Sequence, residues 1–199
     1  MILYLLNILI YKFTCITSIN QSNLYITLSY INCIQIQFKK KMEEEQEDFA
    51  HDLANLQSDV GKLKELVKLS GAVKNAETVR RIKQALINAD ERSKLFNSRE
   101  NLFNVTETEY FELNEIFKLF EPFYDLWDSA EKWLSHKEAW TNGPFVDLDA
   151  EAVQGTVTVL LKNLAKSAKT FEKLNLSQVN VIAAQVLLNS LFLFCYFYF

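Results

Sequence analysis

Any chemistry in this chain has to begin from two histidines, three cysteines and a single Gly-Lys step. His51 and His136 lie 85 positions apart on what read as separate helices. His51 stands among Glu47, Asp48 and Asp52, and His136 lies between Ser135 and Lys137. Both are expected on solvated faces rather than on a metal or a substrate. Gly61-Lys62 has neither the upstream glycine nor the following Ser or Thr of a phosphate-binding loop. Cys15, Cys33 and Cys195 all fall towards the two ends. The middle of the chain therefore has no disulfide and no thiolate metal site, which suits a reducing compartment. Asn104-Val-Thr106 and Asn175-Leu-Ser177 match the glycosylation pattern, which is short enough to arise by chance. The run Glu43-Glu-Glu-Gln-Glu-Asp48 favours a helix start through the helix dipole. These residues supply no catalytic set, no cofactor site and no metal site.

The charges divide the chain. Met1–Phe38 holds one charged residue, Lys12, and Val179–Phe199 holds none. All 25 acidic residues and 17 of the 21 basic ones lie in 42–178, as do all four glycines and both prolines. An acidic segment of this kind gives no reason to expect nucleic acid, which needs a basic face. The sequence thus reads as an apolar flank (1–41), a solvated segment (42–178) and an apolar tail (179–199).

The flanks have an odd alphabet. Residues 1–38 lack Gly, Ala, Val, Asp and Glu, the five amino acids whose codons begin with G. Their joint absence looks like AT-rich DNA read as protein, and Leu187–Phe199 has the same look. Gln178-Val179-Asn180 can be written CAG-GTA-AAT, an exon end followed by an intron donor. The leading expectation is that both flanks are translated non-coding sequence, poorly packed and with few contacts to 42–178. The competing expectation is a membrane: Val181–Phe199 is uncharged and nearly long enough to span a hydrocarbon core of about 30 Å. Met1–Ile10 is apolar enough for a signal-peptide core but has no positive start and no small-residue cleavage site.

The elements of the solvated segment are helical, and no strand alternation competes, so the class is all-α: an elongated bundle of about four to five amphipathic helices. A first helix is expected over Glu43–Leu69, with Phe49, Leu53, Leu56, Val60, Leu63 and Val67 in an unbroken heptad stripe. It reads equally as a coiled-coil strand or as a packed amphipathic helix. Ser70-Gly71 should end it with a left-handed cap. A second helix is expected over Ala76–Phe96, buried through Val79, Ile82, Leu86 and Ala89. Asn97-Ser98 then interrupts the pattern. Thr106 and Glu109 form a capping box that should open a third helix running to about Trp140, with a kink or break near Phe120 imposed by Pro122. Asn142-Gly143-Pro144 is a turn. Asp147 or Asp149 should cap a fourth helix, Ala150–Leu174, buried through Val153, Val157, Leu160, Leu161, Leu164, Ala168 and Phe171.

The third helix is the informative one. Tyr110, Phe111, Phe117, Phe120, Phe123, Tyr124, Trp127, Trp133 and Trp140 fall within 31 residues, and the last two are seven apart on one face. Side chains this large usually form a core; the other reading is a docking surface for another part of a larger chain. Trp133 and Trp140 are expected to be more buried than the 49–67 face, which could stand off as a charged arm.

Leu119-Phe-Glu-Pro-Phe-Tyr-Asp-Leu-Trp127, Trp133, Trp140-Thr-Asn-Gly-Pro-Phe145 and Leu148-Asp-Ala-Glu151 together resemble dynein heavy chains. They look like the N-terminal part of the linker region, and the axonemal type fits best. Glu43–Phe49 and the series Lys162, Lys166, Lys169, Phe171 are similar too. The resemblance covers about 42–178 and neither flank. It implies a mechanical element: a helical lever lying across a ring of ATPase modules, swinging with nucleotide state to move cargo along a microtubule. It transfers no catalytic or nucleotide-binding residue to this chain. Phe120, Pro122, Trp127, Trp133, Trp140, Gly143 and Pro144 carry the family pattern as structural positions. The implied partners are other parts of a dynein heavy chain and subunits of the dynein complex, with the microtubule reached only indirectly and no cofactor, nucleic acid or membrane. The implied location is the cytoplasm, the cytoskeleton and the ciliary axoneme. Two further readings stand beside it: a stand-alone helical adaptor, and a tail-anchored membrane protein with a helical cytosolic part.

Overall fold

The computed structural model describes residues 21–144 and 149–198. The signal-peptide reading of Met1–Ile10, Cys15, the alternative cap Asp147 and the motif residues Phe145 and Leu148 lie outside these. So do the side chains of 190–198. The described residues form five α-helices: α1 (Gln21–Lys62), α2 (Ala72–Leu102), α3 (Phe111–Asn142), α4 (Ala150–Lys173) and α5 (Ser177–Tyr198). Two 3₁₀ turns, Leu63–Glu65 and Leu69–Gly71, join α1 to α2. Among the described residues there is no strand, and no helix is long and apolar enough to cross a membrane.

The chain packs as two units, Met1–Asp48 and Phe49–Phe199. In the first, the described part of α1 carries exposed apolar side chains, among them Tyr25, Ile26, Tyr30 and Ile36. Lys40 and Lys41 pair with Glu44 and Glu45 one turn on.

In the second unit α3 packs against both α2 and α4, and α4 packs against α5. Burial along α2 follows Val79, Ile82, Leu86, Ala89, Ser93, Phe96 and Glu100, an alternating three–four spacing that keeps one face inward. The helix therefore runs straight through Asn97-Ser98, where an interruption was expected. Its buried last member, Glu100, accepts hydrogen bonds from the Thr108 N–H (2.7 Å) and the Thr108 hydroxyl (2.6 Å). That ties down the connector before α3 and displaces the expected capping box. The helix begins at Phe111, with Thr106 and Glu109 outside it and no side chain capping its first turn.

Both helix ends that carry the glycosylation pattern are Schellman caps. Asn104 and Asn175 adopt φ of 51° and 56°. The Val105 N–H reaches the Glu100 carbonyl and the Leu176 N–H reaches the Phe171 carbonyl, each at 2.9 Å. Asparagine tolerates the left-handed conformation better than other residues with a Cβ. The left-handed glycine expected at Gly71 does not occur: it precedes α2 with φ −94°, and α1 has already ended at Lys62, one residue after Gly61. Gly143 has an ordinary φ of −77°, but a Cβ there would lie 2.4 Å from the Ala139 carbonyl oxygen. Close backbone approach, rather than conformational freedom, calls for glycine there.

Pro122 lies inside α3, is buried, and does not interrupt the helix, so the expected break is absent. Asp149 caps α4 as expected, its carboxylate accepting from the Glu151 and Ala152 N–H groups at 3.0 and 3.2 Å. The tail departs from expectation in its first half. Val179, Ile182, Ala183 and Val186 are buried, and α5 packs along α4 rather than making few contacts with 42–178.

The heptad face is not a detached arm either. Phe49 (1% exposed), Leu53, Val60 and Leu63 are buried as deeply as Trp133 (1%), whereas Trp140 is only half-buried. The Phe49 ring meets Phe96 at 5.5 Å and Tyr110 at 5.3 Å, with the Arg92 guanidinium over it. Phe49→Ala should therefore destabilise the folded chain by about 3–4 kcal/mol, read by denaturant unfolding. An effect below about 1 kcal/mol would restore the arm. Gly143→Ala should cost about 1–3 kcal/mol by the same measurement, since the carbonyl it meets belongs to a helix.

Candidate functional site

The residues that carry the family pattern converge on α3. Leu113, Ile116, Phe120, Phe123, Trp127 and Ala130 form one buried row, and Pro122, Leu126, Ser129 and Trp133 form a second beside it. Two rows make a helix fit for packing on two sides. The Phe123 ring lies 5.1 Å from Phe171 on α4. Trp127 is fully buried, and its indole N–H finds no acceptor among the described residues. Trp133 and Trp140 meet edge to face at 6.3 Å, and His136 stacks on Trp140 at 5.0 Å with the rings 10° apart. His136 is thus half-buried against an aromatic ring instead of exposed, while His51 is exposed as expected. Of the sequence-selected residues, Phe120, Pro122, Trp127 and Trp133 are core. Trp140 lies at its edge, and Gly143 and Pro144 are exposed in the turn after α3.

Charged residues of α3 form a seam on either side of these rows. On the α2 side Arg80 bridges Asp128 and Glu131, both at 2.9 Å, and Lys132 reaches Asp128 at 2.7 Å. The Lys83 ammonium sits 3.9 Å from the centre of the Tyr124 ring. On the α4 side Lys166 pairs with Glu121 at 2.7 Å and approaches Asp125 at 3.8 Å.

The two aspartates titrate in opposite directions. Burial pushes both carboxyls up. At Asp125 burial prevails over Lys166, so its pKa is raised. At Asp128 the hydrogen bonds from Lys132 and Arg80 outweigh burial, and its pKa is lowered. Sequence periodicity identifies the rows but not the seams, because nothing in a single sequence says which charged residues of α2 and α4 face α3. Among the described residues no group of three His, Cys, Asp or Glu converges as metal ligands would. The arrangement is one for packing and for holding angles between helices.

A family model described as dynein heavy chain, N-terminal region 2, matches residues 113–190. With 34% identity to a dynein axonemal heavy chain over 68% of this chain, the match supports a dynein heavy chain N-terminal fragment. Dynein axonemal heavy chain 1 from Homo sapiens is 34% identical over 135 residues, and its Rattus norvegicus counterpart is 33% identical over the same length. Each alignment covers 68% of this chain and 3% of the relative. Human dynein axonemal heavy chain 12 is 27% identical over 94 residues, 47% of this chain and 3% of that protein. The chain therefore spans about 3% of the length of the curated relatives it matches. No solved structure matches at a significant level. The dynein match takes in α3, α4 and most of α5, so the family likeness runs past Gln178, where the codon reading placed its end.

The seams make a paired test. Asp128 has a lowered folded pKa. Its stabilising contribution is present above its unfolded pKa and fades as pH falls through the folded value. Asp125 has a raised folded pKa, so its ionised form weakens the fold, and the chain gains stability as pH falls through that value. At neutral pH Asp128→Asn should lose about 1–2 kcal/mol, while Asp125→Asn should be neutral or stabilising. Equal losses in chemical unfolding would contradict this assignment.

Proposed function

We propose that this chain is the start of the mechanical linker of an axonemal dynein heavy chain, a fragment that transmits motor movement. The observation that carries the reading is the 34% identity to human dynein axonemal heavy chain 1. The helical packing of α2–α4 supports it: a lever needs helices held at fixed angles, and two packed rows with an ionic seam on each side supply that. Phe120, Pro122, Trp127, Trp133, Trp140, Gly143 and Pro144 serve this packing and no chemical step. The partners are other parts of a heavy chain and other subunits of a dynein complex. Microtubules are engaged through the rest of the motor, and the setting is the cytoskeleton of the ciliary axoneme. Residues 1–41 and the end of the tail are translated non-coding sequence on this reading, while native sequence continues through Val186.

Two measurements test it. The spliced transcript should run from the linker codons into further dynein sequence, and antibodies to 49–178 should label axonemes. A transcript ending after Phe199 with a product in membrane fractions would support the tail-anchored alternative instead. Calorimetry of the isolated chain with Mg-ATP should detect no saturable binding. Micromolar affinity would overturn the non-enzymatic assignment.

A further inference from the structure

Several lysines elsewhere on these helices are matched with a carboxylate one turn away: Lys62 with Asp59, Lys94 with Asp90, Lys118 with Glu115 and Lys132 with Asp128. Helix α4 does the reverse. Lys162, Lys166, Lys169 and Lys173 follow each other at spacings of four, three and four, so each has another lysine beside it on the helix surface, and the one acidic neighbour within the row is Glu172, three residues after Lys169. Like charges at this spacing destabilise a helix. All four are exposed, on the side of α4 opposite Val157, Leu160, Leu164 and Phe171. Lys166 is met by Glu121 and Asp125 of α3, but among the described residues no carboxylate pairs with Lys162, Lys169 or Lys173. Between Glu151 and Glu172 the helix has no acidic residue, in a chain whose acids outnumber its bases.

We propose that this lysine row is a docking surface for an acidic polypeptide segment whose carboxylates pair with Lys162, Lys169 and Lys173. Charge complementarity selects the partner's sign, and the make-up of the row selects carboxylates over phosphates: it is built of lysine alone, without the arginine fork that suits phosphate. Lys166 already takes carboxylates from α3 in this manner. Exposed pairs are individually weak, so the complex should be salt-sensitive and suited to reversible contact.

The test uses the full chain and fluorescently labelled poly-L-glutamate, followed by anisotropy. Binding should be measurable at low ionic strength and fall at least about tenfold between roughly 0.03 M and 0.3 M salt. The triple variant Lys162→Gln, Lys169→Gln, Lys173→Gln should lose binding. Lys64→Gln, Lys68→Gln, Lys74→Gln removes the same charge from other exposed sites and should retain it. Circular dichroism checks that both variants fold; if the first triple does not, single substitutions should each weaken binding in proportion. Equal behaviour of the two triples, no binding by the parent chain, or tighter binding to a single-stranded oligonucleotide or to phosphatidylserine vesicles would each overturn the proposal. None of these outcomes depends on the chain being part of a motor.

Discussion

Everything in the second unit depends on burying α3 from two directions at once. A helix packed on one side needs one apolar stripe, and α3 needs two, with neighbours on both. This fixes what else the helix can hold. Trp127 and Trp133, both at most 1% exposed, fill the space between layers, and small residues at Ser129 and Ala130 let a neighbour approach. The part-buried charges, Asp125, Asp128 and Glu131, lie in the seams. At Asp128, desolvation is outweighed by two cations, and at Asp125 it is not. A bundle fixed by both its core rows and its seams resists sliding of one helix along another, because a shift of one turn would separate Arg80 from Asp128 and Glu131 and Lys166 from Glu121.

The connections obey a second economy. Neither α2 nor α4 ends on glycine; both end on an asparagine held in the left-handed conformation by the same pair of backbone hydrogen bonds. The segment after α2 is further held by Glu100, a carboxylate only 3% exposed whose two oxygens accept from one threonine. This arrangement substitutes for an N-cap on α3, since it orders the chain just upstream of a helix that has none. A buried acid at the end of an apolar stripe is costly unless its oxygens are satisfied, and here they are.

What could be read from the sequence follows from which forces are local. The all-α class, the stripe of α4 and the cap at Asp149 depend on spacing within one helix, and all three are legible. The length of α2 is not, because Ser93 and Glu100 occupy inward positions with polar side chains, and periodicity in apolar residues alone stops at Phe96. The uninterrupted course of α3 is equally hidden: a proline costs one backbone hydrogen bond, and only the burial of Pro122 among its neighbours explains why the helix continues. The depth of Phe49 is invisible for a related reason. A charged surround says that three faces of α1 meet water but not what the fourth face meets, and the answer, Phe96 and Tyr110, lies 47 and 61 positions away.

The tail shows how two kinds of sequence signal can be separated. The coding argument rests on the absence of residues with G-initial codons, and in 1–38 that absence is complete. Applied strictly, it does not begin at Val179. Five of the eight residues from Val179 to Val186 are valine or alanine, which use such codons, whereas Leu187–Phe199 contains none. The last inward-facing residue with described burial is Val186, and the family match ends at residue 190. Composition and family likeness thus change within a few residues of one another. The donor-like codons at Gln178-Val179 are the weaker signal, because three codons match by chance far more often than a buried helical stripe does. The first half of helix α5 is buried against α4 through Val179, Ile182, Ala183 and Val186.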